Sequence, residues 1–437
     1  MQTVDSVHGL QTIIRRNSHF SEITVKKHTH LEETQVVLLE LLKHRLFNQP
    51  FTPHGEIDWN EVFRESYMQG VHVTVFSNCR GLDIPSEIME RMKPIIRKYM
   101  IRDFQIAGGH GMLHRIMTAE NIPYCIIKGI ASANYYPDLS QRSLGDVDFL
   151  IDERHKDRVL EIMTAKGYTV HEEEDSHHIV LEAKGIRLEL HLEPPGMPKG
   201  EKSTHAKQYM SSILQNATVM EKQAITCKCP SEFHHGLIIL MHTMHHMLGE
   251  GVGLRHVCDW AVFLEHMGDD FQAVFEEPLR RLGLWKFASV LSLMTARYLG
   301  VTLRPWMNAS KENEDIAYGM LLDIFAGGNF GYKDNSRQYE GMFISDRGKR
   351  GIKGNRVRDG FRSLNSIAYK KWPICKKIPI LLPIGWVIAM VGFFKRNRER
   401  KKQGGGVNVQ DVYKKSLYRR NLYESLQIYV SEDDSNT

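Results

Sequence analysis

This sequence is short of cysteine, of net charge and of long apolar runs, and each shortage removes a class of protein. Six cysteines occur in 437 residues, at positions 79, 125, 227, 229, 258 and 375. They lack the spacing of a disulfide framework, and Met1-Gln2-Thr3-Val4-Asp5 opens no signal peptide, so a reducing, cytoplasmic setting is expected. Cys227-x-Cys229, with His234-His235 nearby, lacks the C-x2-C spacing of structural zinc sites, and zinc there is the lesser reading. The apolar stretch 378–394 (IPILLPIGWVIAMVGFF) carries Pro379 and Pro383 in its first turns. As a helix it would cover about 25 Å, short of the ~30 Å hydrocarbon core. A helix docked on its own protein is expected first, and one lying on a membrane surface second.

The net charge of +5 conceals an asymmetry. Residues 347–402 hold 17 lysines and arginines against Asp359 and Glu399 alone, so this segment carries +15 and the remainder of the chain about −10. Such a segment suits peripheral contact with an anionic membrane. Few aromatics interleave to stack bases, so nucleic acid is not an expected partner.

What is present is an ordinary globular composition, 42% hydrophobic and 25% charged, on a chain long enough for two or three domains. Residues 1–30 show no clear period. The spacing of Val36, Val37, Leu39, Leu41, Leu42 and Leu46 predicts a helix over 32–46. Asp58 reads as the N-cap of a second helix through Tyr67, and Pro85-Ser86 opens a long one to about Ala119. His110 and His114, four apart in that helix, read as a helix face rather than a metal pair.

The chain is organised around residues 124–152, YCIIKGIASANYYPDLSQRSLGDVDFLID. An apolar run predicts a buried strand, Lys128-Gly129 breaks it, a short helical segment follows, and a turn on Pro137-Asp138 leads to an acidic strand. Residues two apart on a strand share a face, so Asp146 and Asp148 point one way while Val147, Phe149 and Ile151 point into a core. Two carboxylates about 4 Å apart repel by roughly 4 kcal/mol at an effective dielectric of 20. A divalent cation or a shared proton offsets such repulsion; a solvated edge-strand face is the blander alternative. A third carboxylate lies on a later alternating strand over 186–192, where Arg187, Glu189 and His191 share a face. Between them, 153–166 predicts an amphipathic helix stopped by Gly167, and Lys184-Gly185 a tight turn between strands.

A glycine turn, a D-x-D strand and a later strand carboxylate resemble the catalytic palm of the DNA polymerase β-type nucleotidyltransferase superfamily. More narrowly, Lys128-Gly129, Tyr136-Pro137, Arg142, Asp146-x-Asp148 and Glu189-x-His191 resemble a bacterial family of uncharacterised nucleotidyltransferases. The likeness continues into GVGLRHVCDWAVFL, GGNFG and ILLPIGWV, and Gly327-Gly328-Asn329-Phe330-Gly331 is expected as a flexible loop closing the helical domain. It implies an α+β fold, a small mixed-sheet palm flanked by N- and C-terminal helical regions. The expected division is a helical region over 1–120, the palm over 121–200, a helical domain over 201–335 and a basic tail with a hydrophobic helix over 336–437.

The resemblance also implies a chemistry: transfer of NMP from an NTP such as ATP to an acceptor hydroxyl, with Mg²⁺, or Mn²⁺ in its place, held by Asp146, Asp148 and Glu189. Amides after Gly129, at a helix N-terminus, would meet the phosphates, with Lys128, Arg142 and Ser143 beside them. Lys128 departs from the small residue usual at that turn in the wider superfamily. His191 and Arg255 are candidates for the acceptor side. The plainer reading of Arg255 is an i,i+4 ion pair with Asp259, and of His242, His245 and His246, packed helix-face histidines. The acceptor is not legible, and two rival classes stay open: a nucleotide-binding module without turnover, and a membrane-surface scaffold acting through the tail.

Overall fold

The computed structural model describes residues 30–337 except 54, 172–177, 184, 199–200 and 335, then parts of 365–398, and 409–428. Most of the basic segment 347–402 lies outside the described residues, as do residues 1–29. Among the described residues, four helices precede the sheet: α1 (Glu33–Phe47), α2 (Trp59–Met68), α3 (His72–Phe76) and α4 (Ser86–Ala119). Asp58 caps α2 by accepting from the amides of Asn60 and Glu61, donors that a first helical turn leaves free. With 34 residues, α4 is about 51 Å long and crosses one face of the sheet. Glycine at 109 permits the close crossing, because a Cβ there would stand 3.0 Å from Ile186 Cγ2.

The sheet contains β1 (Tyr124–Ile126), β2 (Val147–Ile151), β3 (Thr169–His171), β4 (His178–Ala183) and β5 (Ile186–His191). Their spatial order is β1-β2-β5-β4-β3, with β2 and β5 parallel and the other neighbours antiparallel. The one-turn helix α5 (Ile130–Ala133) joins β1 to the loop before β2, and α6 (Lys156–Ala165) joins β2 to β3. Val147, Phe149, Ile151, Leu188 and Leu190 share a core with the C-terminal half of α4. Cys125, Ile127 and Leu150 face the other way, into the core of the helical region. The result is a mixed sheet within an α+β fold.

After α7 (Glu201–Met210), a hairpin of β6 (Thr218–Lys222) and β7 (Ile225–Cys229) lays Cys227 and Cys229 against the core of the sheet. Its turn residues Gln223 and Ala224 both have positive φ, 49° and 62°, as two-residue hairpins require. The two thiols lie 3.8 Å apart. His234 meets Ser231 and Ser212, and His235 stacks on Tyr135, so thiols and imidazoles serve separate contacts.

The helical region follows as α8 (Glu232–Leu248), α9 (Leu254–Met267), α10 (Asp270–Leu282), α11 (Trp285–Tyr298) and α12 (Lys311–Gly327). Residues 327–331, expected as a flexible loop, instead close in a tight 3-10 turn, Asn329–Gly331. Asn329 is buried there, against Gly70 and Gly253. The last helix among the described residues, α13 (Val409–Ser425), packs on α12. Its Arg419 donates to the carbonyls of Met247 and Gly249, and Tyr423 donates to Met247 O and Asp323.

In the stretch expected as a hydrophobic helix, Gly385 packs against Ala368, Trp372 and Cys375. Ile380, Ile384, Val387, Ile388 and Val391 are exposed, and their i, i+4, i+7, i+8, i+11 spacing makes one stripe. Among the described residues, no helix is long and apolar enough to cross a membrane.

Candidate active site

Asp148 lies in register with Glu189 across the parallel β2–β5 pair. Side-by-side register in a sheet puts both side chains on one face, the face opposite the Val147 core. Asp146, immediately before β2, reaches the carboxyls of both Asp148 and Glu189. Three acidic groups therefore meet where the sheet is covered by helices.

Their protonation is unequal. Burial, then the neighbouring Asp148, raises Asp146 above the usual carboxylate range. Burial, then Asp146 and Asp148, pushes Glu189 to about 7. Burial pushes Asp148 up as well, but Lys128 and His191 outweigh it and hold this carboxyl well below its ordinary value. The Lys128 ammonium stands 2.6 Å from Asp148 Oδ1, and His191 Nε2 stands 2.9 Å from the same oxygen. Glu189 takes both Nη2 (2.8 Å) and Nε (3.0 Å) of Arg187. His178, which sequence reasoning passed over, brings Nε2 to 3.7 Å from Glu189 Oε2.

Gly129 adopts φ 60° and ψ −106°, a conformation that a Cβ disfavours. The helix it starts is a single turn, and the Ala131 amide already donates to Lys128 O at 3.2 Å. Ser143 Oγ donates to Asp103 Oδ1, and the Leu144 amide to the same oxygen at 2.8 Å. Burial pushes Asp103 up to about 6. The loop before β2 is thus tied to α4.

Arg142 is tied elsewhere. It grips Asp259 of α9 in a two-pronged pair, Nη2–Oδ2 2.7 Å and Nε–Oδ1 3.1 Å, while Tyr136 OH donates to Asp259 Oδ1 at 2.8 Å. The i,i+4 pair expected between Arg255 and Asp259 is therefore displaced. A planar fork from the β2 loop occupies both carboxylate oxygens, a geometry that one helix face does not offer. Arg255 lies instead over the Phe330 ring, 5.5 Å from its centre, with its Nε buried and lacking a hydrogen-bond partner. Burial, then Arg142, lowers its pKa.

Of these groups, Lys128, Gly129, Arg142, Asp146, Asp148, Arg255 and Asp259 line a cavity of about 490 Å³, whereas Glu189 and His191 lie behind its wall, against Asp148. Lys128, Gly129, Asp146 and Asp148 form its sheet wall, and Arg255, His242, His246 and His256 belong to its helical wall. His245 is exposed. Among the described residues, two groups bring three ligand atoms within 4.8 Å of one another and could hold a metal: Asp148–Glu189–His191 and His242–His246–His256. The second group escaped sequence reasoning, although the four-residue spacing of His242 and His246 was a signal. His110 is buried under the sheet with both ring nitrogens unpartnered, and His114 instead meets Tyr124 OH at 2.8 Å. Burial, then the positive neighbours around them, keeps His242 and His256 far below the ordinary histidine value.

The sequence profile described as "Uncharacterised nucleotidyltransferase" matches residues 55–300. No curated protein matches the chain significantly. Two solved structures are similar to parts of it. One is the antibiotic-resistance factor ANT(2'')-Ia, 14% identical over 45% of this chain and 94% of that one, with a TM-score of 0.28. The other is an antigenic nucleotidyltransferase-like protein from Paracoccidioides brasiliensis, 13% identical over 46% of this chain and 94% of that one, with a TM-score of 0.29.

Proposed function

Because that family profile spans more than half of the chain, this protein belongs to the uncharacterised nucleotidyltransferases, and from this premise we propose that it moves an NMP from an NTP to an acceptor hydroxyl at the sheet wall of the cavity. One observation carries the proposal: Asp146, Asp148 and Glu189 meet on one face with the protonation of two of them raised. Crowded oxygen donors whose mutual repulsion favours protons would favour a hard dication equally. These residues fit Mg²⁺, or Mn²⁺ in its place, and the ion would supply charge neutralisation on the reacting phosphate.

The chain's own groups supply the rest. Glu189, beside Asp146 and Asp148, takes the acceptor's proton. The acceptor oxygen bonds to the α-phosphorus, and the bond to the β-phosphate's bridging oxygen breaks, releasing pyrophosphate. Lys128 and Arg255, both on the cavity wall, offset the triphosphate charge, whereas Arg142 is engaged with Asp259 and positions the loop that carries Ser143 and Asp146. His191, nearer to Asp148 than to Glu189 (2.9 against 3.9 Å), orients Asp148.

The same reading divides the chain at 120/121, 200/201 and 335/336, and lays the exposed Ile380–Val391 stripe, with its basic flanks, on anionic lipid. Incubating the purified protein and cell extract with each α-³²P-labelled NTP tests the reaction. Mg²⁺-dependent label transfer that falls at least about 10²–10³-fold in Asp148→Asn is the expected result. Tight NTP binding without transfer in the wild type would instead favour a binding module.

A further inference from the structure

The helical wall of the cavity has its own chemistry, independent of the carboxylates. His242 and His246 stand one turn apart on α8, and His256 enters from the start of α9 across a short turn. One ring nitrogen from each lies within 4.8 Å of the others. The Nε2 atoms of His242 and His246 share a hydrogen bond at 2.9 Å, whose proton a bound cation would displace. Two nitrogens bound tetrahedrally at about 2.0–2.1 Å would be about 3.3 Å apart, a few tenths of an ångström wider than the observed separation.

The shell behind these rings is also built. Glu250 Oε1 lies 2.9 Å from His246 Nδ1. A carboxylate there holds the proton on Nδ1 and leaves the Nε2 lone pair turned toward His242, the support that metal-ligating histidines commonly have. His256 Nδ1 is buried without a hydrogen-bond partner. The Phe330 ring covers His246 and His256, its centre 5.0 and 5.3 Å from theirs, and the cavity lies on the open side. The turn after α8 is fixed from outside by Arg419, which donates to the carbonyls of Met247 and Gly249.

We propose that His242, His246 and His256 form a transition-metal site of the zinc class, with its fourth position open to the cavity. Three imidazoles suit zinc, cobalt or nickel, whereas magnesium prefers oxygen. The arrangement matches the three-ligand, one-open pattern that lets a zinc-class ion take a water or an anionic ligand. The cavity then holds two cation sites of different hardness, one on each wall.

The test uses full-length protein stripped with a chelator and titrated with Co²⁺ and Zn²⁺. One tight equivalent is expected, with the intense visible d–d absorption of tetrahedral cobalt, displaced by Zn²⁺. Asp148→Asn/Glu189→Gln, which disables the oxygen wall, should keep this spectrum; His242→Ala and His246→Ala should lose it. Glu250→Gln leaves all three ligands in place and should weaken affinity about 10–100-fold, so the test does not depend on a folded histidine variant. The proposal is overturned if stripped wild type takes up neither ion. It is equally overturned if uptake survives in folded His246→Ala but vanishes in Asp148→Asn/Glu189→Gln, which would place the metal on the carboxylates alone.

Discussion

The two walls of the cavity are built by different rules. On the sheet side, register sets Asp148 on the cavity wall and Glu189 behind it as partners across parallel strands, and Asp146 precedes β2 on the wall. On the helical side, a one-turn repeat supplies His242 and His246, and a second helix must arrive correctly to add His256. The first wall offers oxygen and crowded negative charge, the second nitrogen held mostly neutral by burial. Strand alternation marks the donors of the first wall in sequence, and β2–β5 pairing brings them together; the second wall exists only once two helices have packed.

Three experiments can break or sharpen this contrast. The largest effect is expected at the tie between the walls, the buried Arg142–Asp259 pair. Arg142→Ala or Asp259→Asn leaves one charge buried alone and should cost about 3–5 kcal/mol of stability, read from denaturant midpoints. An Arg142→Met/Asp259→Leu double variant should recover most of it; if the double variant is as unstable as either single, charge burial is not the cause.

Next is cation linkage. At a Mg²⁺ concentration about 100 times its Kd, a folded-state site contributes about 2.7 kcal/mol. Wild type and Glu250→Gln should show that gain in thermal melts, and Asp146→Asn/Asp148→Asn should not. Equal shifts in all three would assign Mg²⁺ to some other place.

The smallest effect concerns pH. Glu189 has a folded pKa of about 7, above its unfolded value of about 4.3. The folded state therefore holds an extra proton between these values, and the stability this contributes is lost as pH rises through 7. Glutamine carries no such dependence. In a chelator, Glu189→Gln should gain a few degrees on wild type between pH 5 and pH 8. A constant difference would mean that neither burial nor Asp146 and Asp148 raises Glu189.

The sequence carried the local features well. Asp58 announced α2, and Pro85-Ser86 announced the start of a helix that ends at Ala119. The two-residue alternation in Asp146–Ile151 and Arg187–His191 gave the acidic face before any fold was known. What stayed hidden depends on distant partners or unusual turn chemistry. The β6–β7 hairpin turns through Gln223-Ala224, without the Asn-Gly or Asp-Gly pair that signals such a turn. Asp259 had a plausible partner four residues away, yet the one it takes is 117 positions distant. The loop around Phe330 reads as flexible in sequence; Gly328 and Gly331 instead let it pack closely, since a Cβ would stand 3.0 Å from Met68 O and 2.9 Å from Glu250 O.

The docking of α13 has a consequence for biogenesis. Arg419 and Tyr423 hold the Met247 carbonyl at the end of α8, 172 and 176 positions earlier in the chain. A nascent chain can therefore pair β2 with β5 once residue 191 is made, yet the histidine wall waits for residues 409–425 to follow. Premature termination before residue 409 would leave the carboxylate pocket formed and its opposite face slack.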